Sequence, residues 1–163
     1  MPFYLKLGDL KGAVTAGPYK DWIEIDHYSW GFQVPVHTPV GATTNRVPSG
    51  KVHPGDIHLT KRQDPTSCTF MLQSLQGKNT TKGTFAVTLQ ASETGADRYM
   101  EFEMENLICS SFNSHGSAGG DSPHESISLN FTKITFNQYL KDASGKETVM
   151  RGVYDFTLGA KVG

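Results

Sequence analysis

Two neighbouring segments of the chain carry large apolar residues at every second position, and this alternation constrains the fold more than any other feature. In residues 84–91 the alternating apolar positions are Phe85, Val87, Leu89 and Ala91. In residues 100–105, Met100, Phe102 and Met104 alternate with Glu101, Glu103 and Glu105. Successive side chains of a β-strand point to opposite faces, so both segments are predicted to be half-buried strands.

Further strands are predicted near residues 3–7, 22–30, 56–61, 127–131 and 147–158. The apolar positions change parity at Lys133, because Ile127, Leu129 and Phe131 are followed by Ile134 and Phe136. A one-residue phase change is what a β-bulge produces, and bulges help a sheet to bend into a barrel. The pattern therefore predicts a mainly β domain with a curved sheet.

One segment follows a helical period and is predicted to form an α-helix over about residues 65–76. Asp64 suits the N-cap, Pro65 the first helical position and Gly77 the left-handed residue after the last turn. The apolar positions follow the i, i+3, i+4, i+7 spacing of one helix face: Cys68, Met71, Leu72 and Leu75. We expect the helix to close an end or a side of a small barrel. Cys68 and Cys109 are expected to be buried thiols.

A long segment between two predicted strands, about residues 33–56, is rich in proline and glycine. Loops beyond about 12–15 residues are usually functional or disordered. Arg46 and Lys51 are the main charges here, and such low charge does not favour a solvated linker. The segment is therefore expected to lie against its own chain or another copy.

The length and charge of the chain restrict its class. A chain of 163 residues is predicted to form a single domain over residues 1–163. A formal net charge of −1 argues against binding nucleic acid. The N-terminus lacks the basic and then apolar pattern of a signal peptide. The sequence also has no run of 18 consecutive apolar residues, so no membrane insertion is predicted.

Motifs for catalysis, metals and cofactors are not recognised in the sequence. The six histidines form no HExxH pair, neither cysteine lies in a CxxC motif, and there is no G-x-S-x-G elbow. We therefore expect no catalytic residue, metal site or cofactor. Glu101, Glu103 and Glu105 share one strand face, which is expected to face water, basic residues on a neighbouring strand, or a channel.

An ordered set of segments, each weak alone, spans essentially the whole chain and resembles the haemolysin-coregulated protein (Hcp) family of type VI secretion systems. The matching segments are residues 6–12, Ile25, Ser29-Trp30-Gly31 before the long loop, residues 59–61, the Asp64-Pro65 helix, the glycine-rich loop before residues 125–131, and residues 154–156.

The resemblance implies a compact β-barrel of two packed antiparallel sheets with one α-helix on its flank. It implies a homo-hexameric ring with a central channel, and rings that stack into the inner tube of the secretion system. Sheath, spike and effector proteins are the implied partners. The protein would be cytoplasmic before firing and then secreted by a route independent of a signal peptide, and it could carry effectors in the channel.

The resemblance also implies roles for particular residues. Ser29, Trp30 and Gly31 would anchor the long loop to the barrel wall, and Glu101, Glu103 and Glu105 would give a polar channel or surface face. The loop would contact the next ring through residues 36–48, of which we single out Val36, His37, Thr38, Pro39, Val40, Arg46, Val47 and Pro48.

Two alternatives remain open at this point. A small β-barrel can hold one ligand in its interior, so a small-ligand-binding protein is the main alternative. A hydrolytic effector is the other, and Glu103 or His124 would then be required for activity.

Overall fold

The computed structural model describes residues 1–15, 17–37, 47–48, 50–92, 95–120 and 122–162, with the backbone alone at residues 47–48, 90–92 and 95–97. Fourteen strands and one helix lie in these residues. In chain order they are β1 Phe3–Leu7, β2 Ile23–Ile25, β3 His27–Ser29, β4 Phe32–Gln33, β5 Val36–His37, β6 Val47–Pro48, β7 His53–Pro54, β8 Ile57–Arg62, α1 Ser67–Gln76, β9 Asn79–Ser92, β10 Gly95–His115, β11 His124–Asn130, β12 Lys133–Lys141, β13 Glu147–Asp155 and β14 Ala160–Lys161.

Ten of these strands form one antiparallel sheet built on both edges of β10. One edge of β10 pairs with β9, which continues to β1 and then β2. The other edge pairs first with β12 and then with β11, which lead to β13 and β14, and to β8 and β3. The mainly β class with a single helix is confirmed for the described residues.

The described strands do not close into a hydrogen-bonded barrel. The edge strands β2 and β3 border β1 and β8 respectively, and the single residue Asp26 joins them. The Asp26 amide donates to the Thr60 carbonyl of β8, at 2.8 Å. One predicted strand, about residues 22–30, is therefore two short strands with a corner, and the chain itself connects the two edges of the folded sheet.

The parity change predicted at Lys133 reflects an irregularity shared by two strands. β11 and β12 both pair with β10 and are separated only by residues 131–132. Opposite this gap Asn106 has a φ of 53°, and its side-chain amide donates to the Thr132 hydroxyl, at 3.0 Å. Asparagine tolerates this left-handed conformation better than most residues. The buried apolar side chains of β10 change parity at the same place, from Met104 to Leu107. Since β10 and its two partners change parity together, the apolar side chains on either side of this point face one core.

The helix α1 begins at Ser67, two residues later than predicted, and ends as predicted at Gly77. Asp64 does not occupy the N-cap position, which belongs to Thr66; its carboxylate instead accepts the Thr66 amide in the preceding turn, at 2.8 Å. Gly77 has a φ of 60°, and the Lys78 amide donates to the Gln73 carbonyl. The left-handed C-terminal stop is confirmed.

The apolar face expected to pack against the sheet lies instead on the outside of α1. Met71 is 41% exposed, Leu72 46% and Leu75 78%, and Cys68 is also exposed. Phe70 is the buried apolar anchor of the helix and Ser67 is buried with it. The expectation of a buried thiol was thus wrong for Cys68 and is confirmed for Cys109.

The core lies between the folded halves of the sheet and is rich in aromatic rings. Phe85 and Phe102 are buried at its centre, 6.1 Å apart between ring centroids. Tyr28 and Trp30 pack against it from β3 and the residue after it. Offset and edge contacts between aromatic rings add to the stability that burial of their area provides.

A buried ion pair fixes the start of α1 to the sheet. The fully buried Lys61 ammonium of β8 lies 2.9 Å from the Glu125 carboxylate of β11 and 2.8 Å from the Asp64 carboxylate. It also donates to the Arg62 carbonyl and the Ser67 hydroxyl, each at 3.1 Å. The Ser67 hydroxyl in turn donates to Glu125, at 2.8 Å. Every charge here has a partner, which is the condition under which a buried ion is tolerated.

Replacing Lys61 by methionine should lower the free energy of unfolding by about 3–5 kcal/mol, because Glu125 and Asp64 would lose their countercharge in a buried position. The measurement is urea unfolding followed by circular dichroism at one fixed protein concentration, with Lys78→Met as the control at an exposed lysine.

The double variant Lys61→Met/Glu125→Gln separates charge from packing. It should be more stable than Lys61→Met alone, because the uncompensated Glu125 charge is gone. Equal stability of the single and double variants would show that the ion pair is not what holds α1 to the sheet.

Candidate functional site

The long segment after Trp30 contains two short strand pairs, and we use the name ribbon for residues 32–54, of which 32–37, 47–48 and 50–54 are described. β4 pairs with β7 at its base, and β5 pairs with β6 farther out. The return side holds two more residues than the outgoing side between the two paired parts, and Gly50 there has a φ of 111°. The expected loop is thus partly a regular ladder. Thr38, Pro39, Val40 and Arg46 lie outside the described residues.

The outgoing side of the ribbon is exposed along its whole described length. Every residue from Gly31 to His37 is exposed, including Phe32 at 59% and Val36 at 56%. Val34 is 38% exposed. For Val47 and Pro48 only the backbone is described, paired with His37 and Val36. An exposed row of large apolar side chains is typical of an interaction surface.

Trp30 and Gly31 connect the base of the ribbon to the core. The Trp30 ring packs on Phe102 and Phe131, with centroids 5.6 and 6.2 Å away, and its Nε1–H donates to the Gly55 carbonyl at 3.1 Å. The Gly55 amide donates to the Gly31 carbonyl at 2.9 Å. Ser29 is exposed and pairs with His58 in β8, so its part in the predicted anchor is through the backbone.

The glutamates of β10 lie on the sheet face opposite the aromatic core, and each has a partner on β12. Glu101 accepts the Tyr139 hydroxyl at 2.5 Å, Glu103 accepts the Asn137 amide at 2.7 Å, and Glu105 pairs with Lys133 at 3.1 Å. Glu101 is buried, 8% exposed, while Glu103 and Glu105 are half-buried. The row thus meets polar and basic partners on the neighbouring strand, and its channel-facing role stays a prediction.

Burial and the Glu101 carboxylate shape the titration of nearby tyrosines. Burial, followed by the hydrogen bond to Glu101, raises the pKa of Tyr139 to about 12. Burial, followed by the charge of Glu101, raises the pKa of Tyr19 to about 12. The Arg98 guanidinium lies over the Tyr139 ring, 4.8 Å from its centroid, and 3.6 Å from Glu101. The cluster thus keeps its phenols protonated beside a carboxylate.

The exposed side of α1 is the surface that the sequence interpretation missed. The spacing of Cys68, Met71, Leu72 and Leu75 correctly indicated one helix face, but the pattern carried no information on whether that face meets the sheet. The available signal was Phe70, the largest apolar residue of the helix, which lies off that face.

The described residues hold little that favours other chemistry. No three His, Cys, Asp or Glu side chains among them are placed to bind one metal ion. The helices in this part of the chain include none that is long and apolar enough to cross a membrane. The core between the strands consists of packed aromatic and aliphatic side chains.

The fold is shared with solved type VI secretion proteins. A structure described as a type six secretion system protein superposes with a TM-score of 0.88 at 22% identity, over 99% of each chain. Hcp1 from Salmonella typhimurium superposes with a TM-score of 0.78 at 17% identity, over 99% of this chain and 98% of that one.

The sequence itself shows the family. The family model described as "Type VI secretion system effector, Hcp" matches residues 4–138. Protein hcp1 of Pseudomonas aeruginosa is 24% identical over 142 residues, which cover 87% of this chain and 85% of that protein. The chain therefore belongs to the Hcp family of type VI secretion proteins, which confirms the resemblance found in the sequence.

A pair of glycines tests the anchor of the ribbon. A Cβ at Gly55 would lie 2.6 Å from the Gly31 carbonyl oxygen, so Gly55→Ala must separate the two backbones, at a cost of about 1–3 kcal/mol. A Cβ at Gly31 would meet nothing within 4 Å, so Gly31→Ala is the matched control. Hydrogen exchange should show a less protected Gly55 amide and a loosened ribbon base in Gly55→Ala only. Similar exchange in both variants would contradict the close approach.

Tyr139→Phe tests the glutamate row. Below pH 10 it should lower the free energy of unfolding by about 1 kcal/mol, because Glu101 loses a hydrogen-bond donor. A pKa raised on folding stabilises the protein below the unfolded value of 10.0 and no longer does so above about 12. The difference between wild type and Tyr139→Phe should thus shrink as the pH rises from 10 to 12 in urea titrations. Tyr154→Phe, at a hydroxyl with no hydrogen-bond partner in the described chain, should show no such trend.

Proposed function

We propose that this chain is the structural subunit of a type VI secretion inner tube, in which six copies form a ring and rings stack on one another. Membership of the Hcp family supports the assignment to the secretion system. The observation that carries the tube role is the ribbon, whose described outgoing side is exposed throughout although it presents Phe32, Val34 and Val36. A partner that covers these apolar side chains would stabilise the complex, because their surface would be removed from water.

A ring of identical copies requires two different contact surfaces on each chain, because each copy meets its neighbours head to tail. Two apolar surfaces apart from the ribbon fit this requirement. One is the outer face of α1, with Leu72 and Leu75. The other is one exposed face of β12 and β13, with Leu140 and Met150.

The ribbon serves the contact between stacked rings in this proposal, through residues 36–48. The anchor at Trp30, Gly31 and Gly55 supports this role, because it holds the ribbon base against the core while its side chains stay exposed. The paired glutamates of β10 provide a polar sheet face suited to lining a water-filled channel.

The remaining parts of the proposal concern the partners and the location of the tube. The subunit would assemble in the cytoplasm with sheath and spike proteins and leave the cell as the tube is driven outward, with effector proteins in its channel. A tube subunit acts by assembly and needs no catalytic group, which is the basis for proposing that this chain is not an enzyme.

Negative-stain electron microscopy of the purified protein, combined with native mass spectrometry, tests the proposal. Wild type should give six-membered rings, and stacks of rings at high concentration. A strict monomer over a wide concentration range would contradict the tube role altogether.

Deletion of residues 36–48 should leave folding and rings intact but abolish stacks. The strand pair at the base of the ribbon, Gln33 with His53, is retained, while the outer part of the ribbon is lost. Leu158→Asp is the control, since it removes an apolar side chain that is 70% exposed at a distance from the ribbon in sequence. Stacks formed by the shortened protein would refute the role of the ribbon and leave the ring proposal standing.

A further inference from the structure

Two histidines face each other at the end of a hairpin, outside every surface used in the proposed function. His115 is the last residue of β10 and His124 the first of β11, and they are directly paired across the strands. Their ring centroids lie 6.3 Å apart with the ring planes inclined by only 21°. His115 is exposed and His124 is 40% exposed in its side chain. Both rings are thus accessible from solvent on one face of the sheet.

The histidine pair borders a surface depression of about 520 Å³ at the start of the glycine-rich loop. The other lining residues are small: Gly116, Ser117, Gly120 and Ser122. Small side chains leave room for an ion with bound water beside the two rings. Since the two histidines are the last paired residues of the hairpin, anything bound between them would fix the point where the loop leaves the sheet.

A carboxylate near His124 has an unused hydrogen-bonding atom. Asp26 Oδ2 is buried and has no hydrogen-bond partner among the described residues, and it lies 3.9 Å from His124 Nε2. Histidines that bind metals commonly present one nitrogen to the ion and direct the other toward a carboxylate. Arg62 of β8 lies opposite His124 in the strand register, so a positive side chain also belongs to this part of the sheet.

We propose that His115 and His124 together bind one divalent transition-metal ion of the type that prefers imidazole, such as Ni²⁺, Cu²⁺ or Zn²⁺. The two rings supply two ligands and water completes the coordination. Asp26 is a positioning residue that orients the His124 ring and is not itself a ligand.

The two rings must approach and turn before they can share one ion, because each nitrogen lone pair lies in the plane of its own ring and the two planes are nearly parallel. Metal–nitrogen bonds of about 2.0–2.1 Å place the centroids of two imidazoles on one tetrahedral ion about 5 Å apart. The observed distance of 6.3 Å must therefore shorten by roughly 1 Å. His115 is exposed, so rotation of its side chain can provide this shift.

Calorimetric titration of the metal-free protein with Ni²⁺ alone tests the site. Wild type should bind one ion per chain. His115→Ala and His124→Ala should each weaken binding at least about tenfold, and Asp26→Asn should weaken it by about tenfold while leaving the stoichiometry unchanged. His53→Ala, at an exposed histidine of the ribbon, should bind as wild type does.

A second measurement identifies the two histidine ligands without relying on the binding affinity. Paramagnetic broadening by Ni²⁺ should affect the imidazole signals of His115 and His124 before those of the other histidines. Undiminished binding by both histidine variants, broadening that begins elsewhere, or a stoichiometry of one ion per two chains would overturn a site within one chain.

Discussion

The hydrogen bonding of β10 along both edges is the interaction on which the rest of the structure depends. This strand of 21 residues pairs with β9 on one side and with β11 and β12 on the other. Within this strand Asn106 takes a left-handed conformation, with a φ of 53°. Opposite that point β11 ends and β12 begins, so β10 and its partners change parity at the same place. As a result, apolar residues on both sides of Asn106 face the same core.

Local patterns in the sequence were sufficient for the features that depend on neighbouring residues alone. The alternation in residues 100–105, the parity change near Lys133 and the helix stop at Gly77 are of this kind. The start of α1 was misplaced because Asp64 takes part in the Lys61 and Glu125 ion pair, which joins residues far apart in the sequence. Burial of Glu101 depends likewise on Tyr139, which the sequence places on another strand.

The ribbon combines a base that contacts the core with exposed apolar side chains on its described outgoing side, and the two properties have different causes. Its base is held by backbone contact between Gly31 and Gly55, which only residues without a Cβ at position 55 allow, and by the Trp30 indole. The outer part has exposed apolar side chains and short paired segments. The sequence predicted a long segment here, but the paired segments depend on a register that composition does not determine.

The outer face of α1 is apolar and exposed because of the way the helix is attached to the sheet. The buried ion pair at Ser67 and the Phe70 ring fix the rotation of the helix, so its remaining apolar residues cannot turn toward the sheet. Leaving Leu72 and Leu75 in water costs free energy that an isolated chain does not recover. A helix fastened by a buried charge network and left apolar outside therefore favours a protein that functions with further copies or partners against this face.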